Sequence, residues 1–381
     1  MVETDGAAWA VGPHEDSPGF RNDMKAADDA YTAPSLHRSS FSVPWTTSSL
    51  ANATFYADYR SLDEIYSFMH QLAADHSDRI SVVPLGHSGE GREMFALEIN
   101  GVGGARSWSH DSYFGGRKRE EGKFPPGFAI TGAQHAREWI ATSTALYIAH
   151  ALVANDTEQY SLSPLLRTFN FYIVPVPNPD GYLYTWDHDR FWYKNRQLLG
   201  AQGYKWKANP AYFSSDGDLK PKKKRGAADP CSHWYPGSRP FQAPEVNNMA
   251  NYFETLPHLR AYIDLRSYGQ MLSAPYSYSC KKYPKDAEDQ MEAISGAASA
   301  VRRTHGTVFT TGQLCSTLYR APGNVVDWMY ERLGVKWSFA AHLRDTGTYG
   351  FNLPAEWIRP VAEETTQMID YLARFIATKE A

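Results

Sequence analysis

The pattern of hydrophobic and polar residues predicts a long polar start followed by alternating helices and short strands. From Met1 to about Asn52 the chain is rich in Ser, Thr, Pro, Asp and Gly and has no apolar periodicity, which is typical of a tail or linker. Apolar residues at helical spacing predict a helix from Leu62 to His76. Two strands are predicted next, at Ile80–Leu85 and Met94–Ile99. The folded region is therefore predicted to begin near Phe55 and to occupy residues 53–381.

The rest of the chain continues the same alternation. Short apolar runs predict buried strands at Gly127–Thr131, Phe171–Val176, Ala261–Leu265 and Trp337–Leu343. Helical spacing predicts helices at Glu138–Val153, Pro244–Leu256, Ala287–His305, Asn324–Leu333 and from Glu356 to about Ile376. Because no linker-like break interrupts this alternation, we expect one α/β domain with a mostly parallel or mixed sheet.

Composition and charge exclude several classes of protein. The chain has 381 residues, 43% of them hydrophobic, and a formal net charge of −4. Such a balanced charge argues against nucleic acid as the main partner. No stretch approaches the roughly 20 apolar residues of a membrane span, and the acidic amino terminus has no apolar core of the kind found in a signal peptide. Three cysteines exclude a disulfide-dense scaffold and a four-cysteine zinc site.

Candidate chemistry follows the predicted strands, because sites in open α/β sheets form at the carboxyl ends of strands. After Gly127–Thr131 come His135 and Glu138. Their spacing places an imidazole and a carboxylate on one helix face, where they can converge on a single metal ion. A chance pair or a capping carboxylate is the alternative interpretation. Arg266 and His342 lie at the ends of two later strands.

Five short motifs in a fixed order indicate a family. The chain reads HAREW, NPDGY, TWDHDRFWYKNR, SYG and LRDTGTYGF, and in this it resembles the zinc carboxypeptidases of the carboxypeptidase A/B type from about Phe55 to Ala377. The resemblance implies a single domain with a mixed eight-stranded sheet and helices on both faces. It also implies removal of the carboxyl-terminal residue of a peptide by a zinc-bound water, and a tail that is the remnant of a pro-segment.

Part of the catalytic apparatus of that family is retained. By resemblance, His135 and Glu138 match the first two zinc ligands, and Arg137 matches an arginine that lines the peptide groove. Tyr319 matches the mobile tyrosine that closes over the substrate. Val326 matches the floor of the specificity pocket, where an apolar residue is similar to the subgroup that prefers aromatic or aliphatic ends.

Four other positions depart from the family pattern. The third zinc ligand is replaced by Arg266, which has no lone pair to offer and stays protonated. His342 stands at the general-base position, where the family has a glutamate. Tyr193 replaces the arginine that polarises the scissile carbonyl, and Tyr204 lies in the segment that normally binds the substrate's terminal carboxylate.

These departures predict a pseudoenzyme similar to the fungal inactive metallocarboxypeptidase-like proteins. Zinc should be weakly bound or absent, because two ligands and a fixed positive charge replace the usual three. We expect the Arg266 guanidinium to pair with Glu138 in place of the metal. A groove that keeps Arg137, Arg190 and Tyr319 would still bind a peptide or a protein carboxyl terminus, with the protein acting as a monomer.

Two other hypotheses remain open from the sequence. In the first, the protein is an active hydrolase with a rearranged site, in which His342 serves as the third zinc ligand with His135 and Glu138, or as the base. In the second, the groove is vestigial and the protein has a structural or interaction role. The geometry of Arg266 and His342 relative to His135 and Glu138 separates the first of these from the pseudoenzyme.

The cysteines provide evidence about the cellular compartment of the protein. The resemblance implies a disulfide between Cys280 and Cys315 and leaves Cys231 without the partner that it has in relatives. Possible glycosylation sequences begin at Asn52 and Asn155. The resemblance favours a secreted or vacuolar protein, although an intracellular form with reduced thiols is the alternative.

Overall fold

Eight strands form a single mixed sheet at the centre of the fold. The computed structural model describes residues 45–47, 49–101, 125–197, 235, 237, 239–256 and 258–380. The strands are β1 (Ile80–His87), β2 (Glu93–Ile99), β3 (Gly127–Thr131), β4 (Asn170–Val174), β5 (Leu259–Arg266), β6 (Met271–Ala274), β7 (Thr310–Gln313) and β8 (Trp337–His342). Their order in the sheet is β1-β2-β4-β3-β5-β8-β6-β7. The four central strands β4, β3, β5 and β8 are mutually parallel.

Helices cover both faces of this sheet. They are α1 (Leu62–Asp75), α2 (Trp139–Val153), α3 (Pro179–Asp187), α4 (Pro244–Thr255), α5 (Ala287–His305), α6 (Leu314–Thr317), α7 (Val325–Glu331) and α8 (Ile358–Lys379). Successive strand residues point to opposite faces, so Phe128 and Ile130 belong to the apolar cluster that includes residues of α1, α2, α5 and α8, whereas Ala129 belongs to the cluster that includes residues of α4 and α7. The predicted single domain with a mixed eight-stranded sheet and helices on both faces is confirmed.

Helix-capping residues and apolar periodicity explain which ends of helices and strands could be predicted from the sequence. In α1, Ser61 and Glu64 form a reciprocal capping box, and the helix buries its apolar stripe, as its spacing predicts. The predicted bounds of β3 and α5 agree with the structure. The pattern missed β6 and β7, because each has four residues and no alternation long enough to recognise. It also missed α3, which begins at Pro179 after an Asn178 side-chain cap.

The packed region starts earlier than residue 53. Trp45 lies edge-on to Phe55 with ring centroids 5.2 Å apart, and Leu50 is fully buried while its amide donates to Glu158 at 2.9 Å. The assignment of residues 45–47 and 49–52 to a disordered tail was therefore wrong. Its cause is that an isolated Trp or Leu in a polar segment produces no period, although each buries apolar surface. Residues 1–44 of the predicted tail lie outside the described residues.

Two further findings concern covalent structure and membranes. Cys280 and Cys315 form the predicted disulfide, with their Cα atoms 5.3 Å apart. Within the described ranges, no helix combines the length and the apolar character that a membrane crossing requires. Cys231 and Tyr204 both lie outside the described residues.

Candidate functional site

Three neighbouring parallel strands bring the candidate residues to one edge of the sheet. His135 follows β3, Arg266 ends β5 and His342 ends β8, and Arg266 is in register with His342 across the β5–β8 pair. Gly132 lets the chain leave β3 against the next strand, because a Cβ there would overlap the carbonyl of Pro175. These residues therefore lie together at the carboxyl ends of the strands, where the sequence analysis expected the candidate site.

His135 and Glu138 lie together at the start of α2. His135 Nδ1 is 2.7 Å from Glu138 Oε1, and both side chains are buried. The Tyr193 ring stacks on the His135 imidazole with centroids 4.0 Å apart and an interplanar angle of 28°. The two residues that would supply metal ligands are thus bonded to each other beneath an aromatic ring.

The Arg266 guanidinium fills the centre of the site. Its Nη1 lies 3.2 Å from His135 Nε2, and its Nε donates to Asp264 at 2.5 Å. Among the described residues no ion pair joins Arg266 to Glu138, so the predicted Arg266–Glu138 pairing is wrong. Residues two apart on a strand point to the same face, and this spacing was the available signal for the Asp264–Arg266 pair.

Asp264 is the polar anchor that the sequence analysis missed. Its Oδ1 accepts hydrogen bonds from Thr131 Oγ1 at 2.9 Å and Gln134 Nε2 at 2.8 Å, while its Oδ2 accepts from Arg266. Although burial opposes it, the Asp264 carboxylate raises the pKa of Arg266 above its ordinary value. The centre therefore carries a permanent guanidinium that is fixed from the sheet side.

Burial sets the protonation states of the two residues that resemble ligands. It lowers the pKa of His135 well below its ordinary value, and the Arg266 guanidinium reinforces this effect. It raises the pKa of the Glu138 carboxyl to about 7, against the opposing effects of Arg266 and Arg137. The neutral His135 tautomer that fits the Glu138 contact carries its proton on Nδ1, while Arg266 Nη1 lies 3.5 Å from Nδ1 and 3.2 Å from Nε2.

His342 is buried beside these groups without a hydrogen-bond partner for its Nδ1 among the described residues. Burial, followed by the charge of Arg266, lowers its pKa from 6.5 to about 3. An imidazole with so low a pKa takes up a proton from water poorly, so His342 is poorly suited to act as a general base near neutral pH.

The buried His342 should make the free energy of unfolding depend on pH in the acidic range. Between about pH 6 and pH 4 the unfolded chain protonates this residue and the folded protein does not, so stability falls as the pH falls. We expect His342→Gln to reduce the slope of the free energy of unfolding against pH by up to about 1.4 kcal/mol per pH unit in this window. Urea unfolding at several pH values measures the slope. His70→Gln, an exposed change on α1, is the matched control, and an equal slope in wild type and His342→Gln would contradict the prediction.

The residues present do not fit a zinc site. Over the part of the chain that the structure describes, no group of three His, Cys, Asp or Glu side chains is placed to hold a metal ion. His342 does not complete such a set with His135 and Glu138. Arg266 Nη1 lies 3.5 Å from His135 Nδ1 and 3.2 Å from Nε2, so a positive charge that itself offers no lone pair sits against the imidazole.

The family resemblance predicts a peptide groove beside the centre, and aromatic and cationic side chains lie there. Arg137 is half-buried, with its guanidinium 4.0 Å from the Phe351 ring centroid and 5.0 Å from that of Tyr193. Arg190 donates to the carbonyls of Arg137 and Phe351 at 2.8 and 2.6 Å, and so ties the two walls together. Tyr319 is half-buried, and burial raises its pKa.

Two predicted substrate residues are not seen lining this groove. Val326 is completely buried at the start of α7, within the cluster that covers the second face of the sheet. Tyr204 lies outside the described residues. Their roles in substrate binding stay predictions.

Comparison with known proteins gives the family to which this fold belongs. The model of the zinc carboxypeptidase family matches residues 65–368. The metallocarboxypeptidase A-like protein of Trichophyton verrucosum is 36% identical over 321 residues, which are 83% of this chain and 69% of that protein. The chain belongs to the zinc carboxypeptidase family.

Two further relatives show the range of the family. The inactive metallocarboxypeptidase ECM14 of Paracoccidioides brasiliensis is 32% identical over 380 residues, and the match covers 90% of this chain and 59% of that protein. The chain thus spans about three fifths of the length of this relative. Bovine thrombin-activatable fibrinolysis inhibitor, solved in complex with tick carboxypeptidase inhibitor, aligns with a TM-score of 0.70 at 31% identity, covering 85% of this chain and 99% of that one.

Proposed function

We propose that this protein is a catalytically inactive member of the zinc carboxypeptidase family that holds zinc weakly or not at all. The observation that carries the proposal is the position of Arg266. Its guanidinium lies 3.2 Å from His135 Nε2 and is fixed by Asp264, at the position that the family resemblance assigns to the third ligand. A cation entering this centre would meet a fixed positive charge and only two residues able to ligate it.

The chemistry that remains is insufficient for peptide hydrolysis. A general base contributes about 10²–10⁴ in rate, and His342, with a pKa of about 3, is a poor replacement for it. A donor to the developing oxyanion contributes about 10²–10³, and Tyr193 stands where the family has an arginine. Even partial accumulation of these losses, added to weak metal binding, brings peptidase activity below ordinary detection.

The groove supports a binding function. Arg137 and Arg190 are held in place by aromatic rings and backbone carbonyls of the chain itself. The bovine relative is in complex with a carboxypeptidase inhibitor, which supports a protein segment as the kind of ligand that this fold receives. We therefore infer that the groove binds a peptide or the carboxyl terminus of a protein.

Metal content and hydrolysis test the inactive assignment together. Protein purified without chelators is expected to contain far less than one zinc per chain by inductively coupled plasma mass spectrometry. With or without added zinc, it should release no terminal residue from peptides that have free carboxyl termini. About one tightly held zinc per chain together with release of the terminal residue would support instead an active enzyme with a rearranged site that uses His342.

We also propose a secreted or vacuolar location. The Cys280–Cys315 disulfide supports this, because such bonds persist in oxidising compartments. Both cysteines are expected to resist alkylation in the native protein and to react after reduction. A full-length tagged protein that resides in the cytosol, with both thiols reactive, would contradict the proposal.

A further inference from the structure

Two Asn-X-Thr sequences lie at the surface of the described chain. They are Asn52-Ala53-Thr54 and Asn155-Asp156-Thr157, and no other asparagine of the sequence is followed two residues later by Ser or Thr. Neither middle residue is proline, so both sequences fit the acceptor of an N-linked glycan. Both asparagines are exposed. A motif of three residues is a weak signal by itself, so the surroundings of the two asparagines decide whether a glycan fits.

The side chain of Asn155 uses its oxygen in a turn and leaves its nitrogen available. Asn155 Oδ1 accepts from the Thr157 amide at 3.1 Å and from Thr157 Oγ1 at 2.9 Å, which is the turn that Asn commonly forms with the backbone two residues later. The Asp156 carboxylate between them is bound by Ser163 and Arg167. Because Asn155 Nδ2 donates to none of the described residues, the atom that would carry a sugar is accessible in the folded protein.

Asn52 is exposed between two buried residues. Leu50 and Ala53 are completely buried, and Arg359 donates to the carbonyl of Leu50 at 3.0 Å and to that of Ala53 at 2.5 Å. The backbone amide of Asn52 donates to Ser49 Oγ at 3.3 Å, whereas its side-chain nitrogen donates to none of the described residues. The backbone is therefore fixed on both sides of Asn52, while Asn52 itself stays at the surface.

Glu158 brings the two sequences together. Its Oε1 accepts from the Asn155 amide at 3.3 Å, and its Oε2 accepts from the Leu50 amide at 2.9 Å. One carboxylate thus joins the turn that contains Asn155 to the segment that contains Asn52. The two asparagines belong to one surface patch, which we define by Asn52, Asn155 and Glu158.

This patch is remote from the strand-edge site. Glu138 directly precedes α2, and Asn155 follows two residues after Val153, the last residue of that helix. The 15 residues of α2 form a helix about 22 Å long. A glycan on the patch would therefore leave the end of the fold that contains the site uncovered, as a groove that binds a peptide requires.

We propose that Asn52 and Asn155 both carry N-linked glycans. In the reaction, Nδ2 of each asparagine loses a proton and forms a bond to C1 of an oligosaccharide. The bond between C1 and the diphosphate of a polyprenyl diphosphate donor breaks, and the diphosphate leaves with the electron pair. The donor and its transferase belong to the secretory pathway, so this inference rests on the proposed secreted or vacuolar location and goes beyond it.

The mass of the native protein tests the proposal. The full-length tagged protein is purified from the organism that makes it, and its intact mass is measured before and after digestion with peptide N-glycosidase. The digestion is expected to remove two glycans and to convert both asparagines to aspartate, which peptide mass spectrometry detects at each site.

Variants assign each glycan to its sequence. Asn155→Gln should lose one glycan and Asn52→Gln the other, and the double variant should carry none. Thr157→Ser keeps the acceptor sequence and should keep its glycan, whereas Thr157→Ala should lose it although Asn155 is unchanged. Asn251→Gln, an exposed change on α4 outside any Asn-X-Thr sequence, is the control and should keep both glycans.

The outcomes separate this inference from the proposed location. A secreted or vacuolar protein whose mass is unchanged by the digestion would overturn the inference and keep the location. A glycan on only one of the two asparagines, or a glycan that persists in Thr157→Ala, would also overturn it. A protein without glycans that resides in the cytosol with reactive thiols would lose the proposed location, and this inference with it.

Discussion

The double variant Arg266→His with His342→Glu is expected to bind about one zinc per chain where the wild type binds none stoichiometrically. His135 and Glu138 are already side by side, and β5 places position 266 directly next to them. Replacing the guanidinium with an imidazole removes the fixed charge and adds a third ligand. Mass spectrometry of protein dialysed against zinc and then against buffer measures the gain.

Peptidase activity should remain low in this variant. By the family resemblance, Tyr193 still occupies the position of the carbonyl-polarising arginine and Tyr204 lies in the segment for the terminal carboxylate, so we expect two substrate contacts to be missing. The single variants are the matched controls: Arg266→His should gain zinc, and His342→Glu alone should not. If the double variant folds and binds no zinc, or if His342→Glu alone binds it, Arg266 is not what excludes the metal.

Removing the Arg266 guanidinium should destabilise the protein strongly. Arg266→Met leaves the Asp264 carboxylate buried without its ionic partner, and breaking a buried pair in this way costs about 3–5 kcal/mol. Adding Asp264→Asn should recover most of that loss, because the second change removes the uncompensated charge. The free energy of unfolding in urea measures both effects.

An exposed ion pair provides the control for this experiment. Arg374 pairs with Asp370 on the surface of α8, and Arg374→Met should cost no more than about 1 kcal/mol. If Arg266→Met were as stable as Arg374→Met, the Asp264–Arg266 pair would not organise the centre. If the double change failed to recover stability, the loss would come from packing and not from the orphaned charge.

Much of the fold could be predicted from periodicity. The spacing of apolar residues located α1 and α5, because each helix repeats its period over several turns, and an uninterrupted apolar run located β3, which is buried on both faces. Short strands such as β6 and β7 were not predicted, because four residues show too little alternation and their pairing depends on distant strands. The burial of Trp45 and Leu50 was not predicted for a related reason, because a single apolar residue in a polar segment shows no periodicity.

The contacts of the candidate site were likewise predictable only in part. The spacing of His135 and Glu138 predicted that they would meet, and they lie 2.7 Å apart. The partner of Arg266 could not be chosen reliably, because two carboxylates were within reach of its long side chain. Asp264 is held in place by Thr131 and Gln134 and extends from the same strand face, whereas Glu138 is engaged by His135.

The sequence by itself determined that Arg266 cannot ligate a metal, since an arginine has no lone pair for a metal wherever it lies. It also determined the family, through the order of short motifs that the strands present at one edge of the sheet. Only the tertiary structure decided that Arg266 pairs with Asp264, that burial leaves His342 with a pKa of about 3, and that Arg137 packs against the Phe351 ring. The physical reason is that side-chain identity limits what a group can do, while partners and protonation depend on which other groups packing brings within a few ångströms.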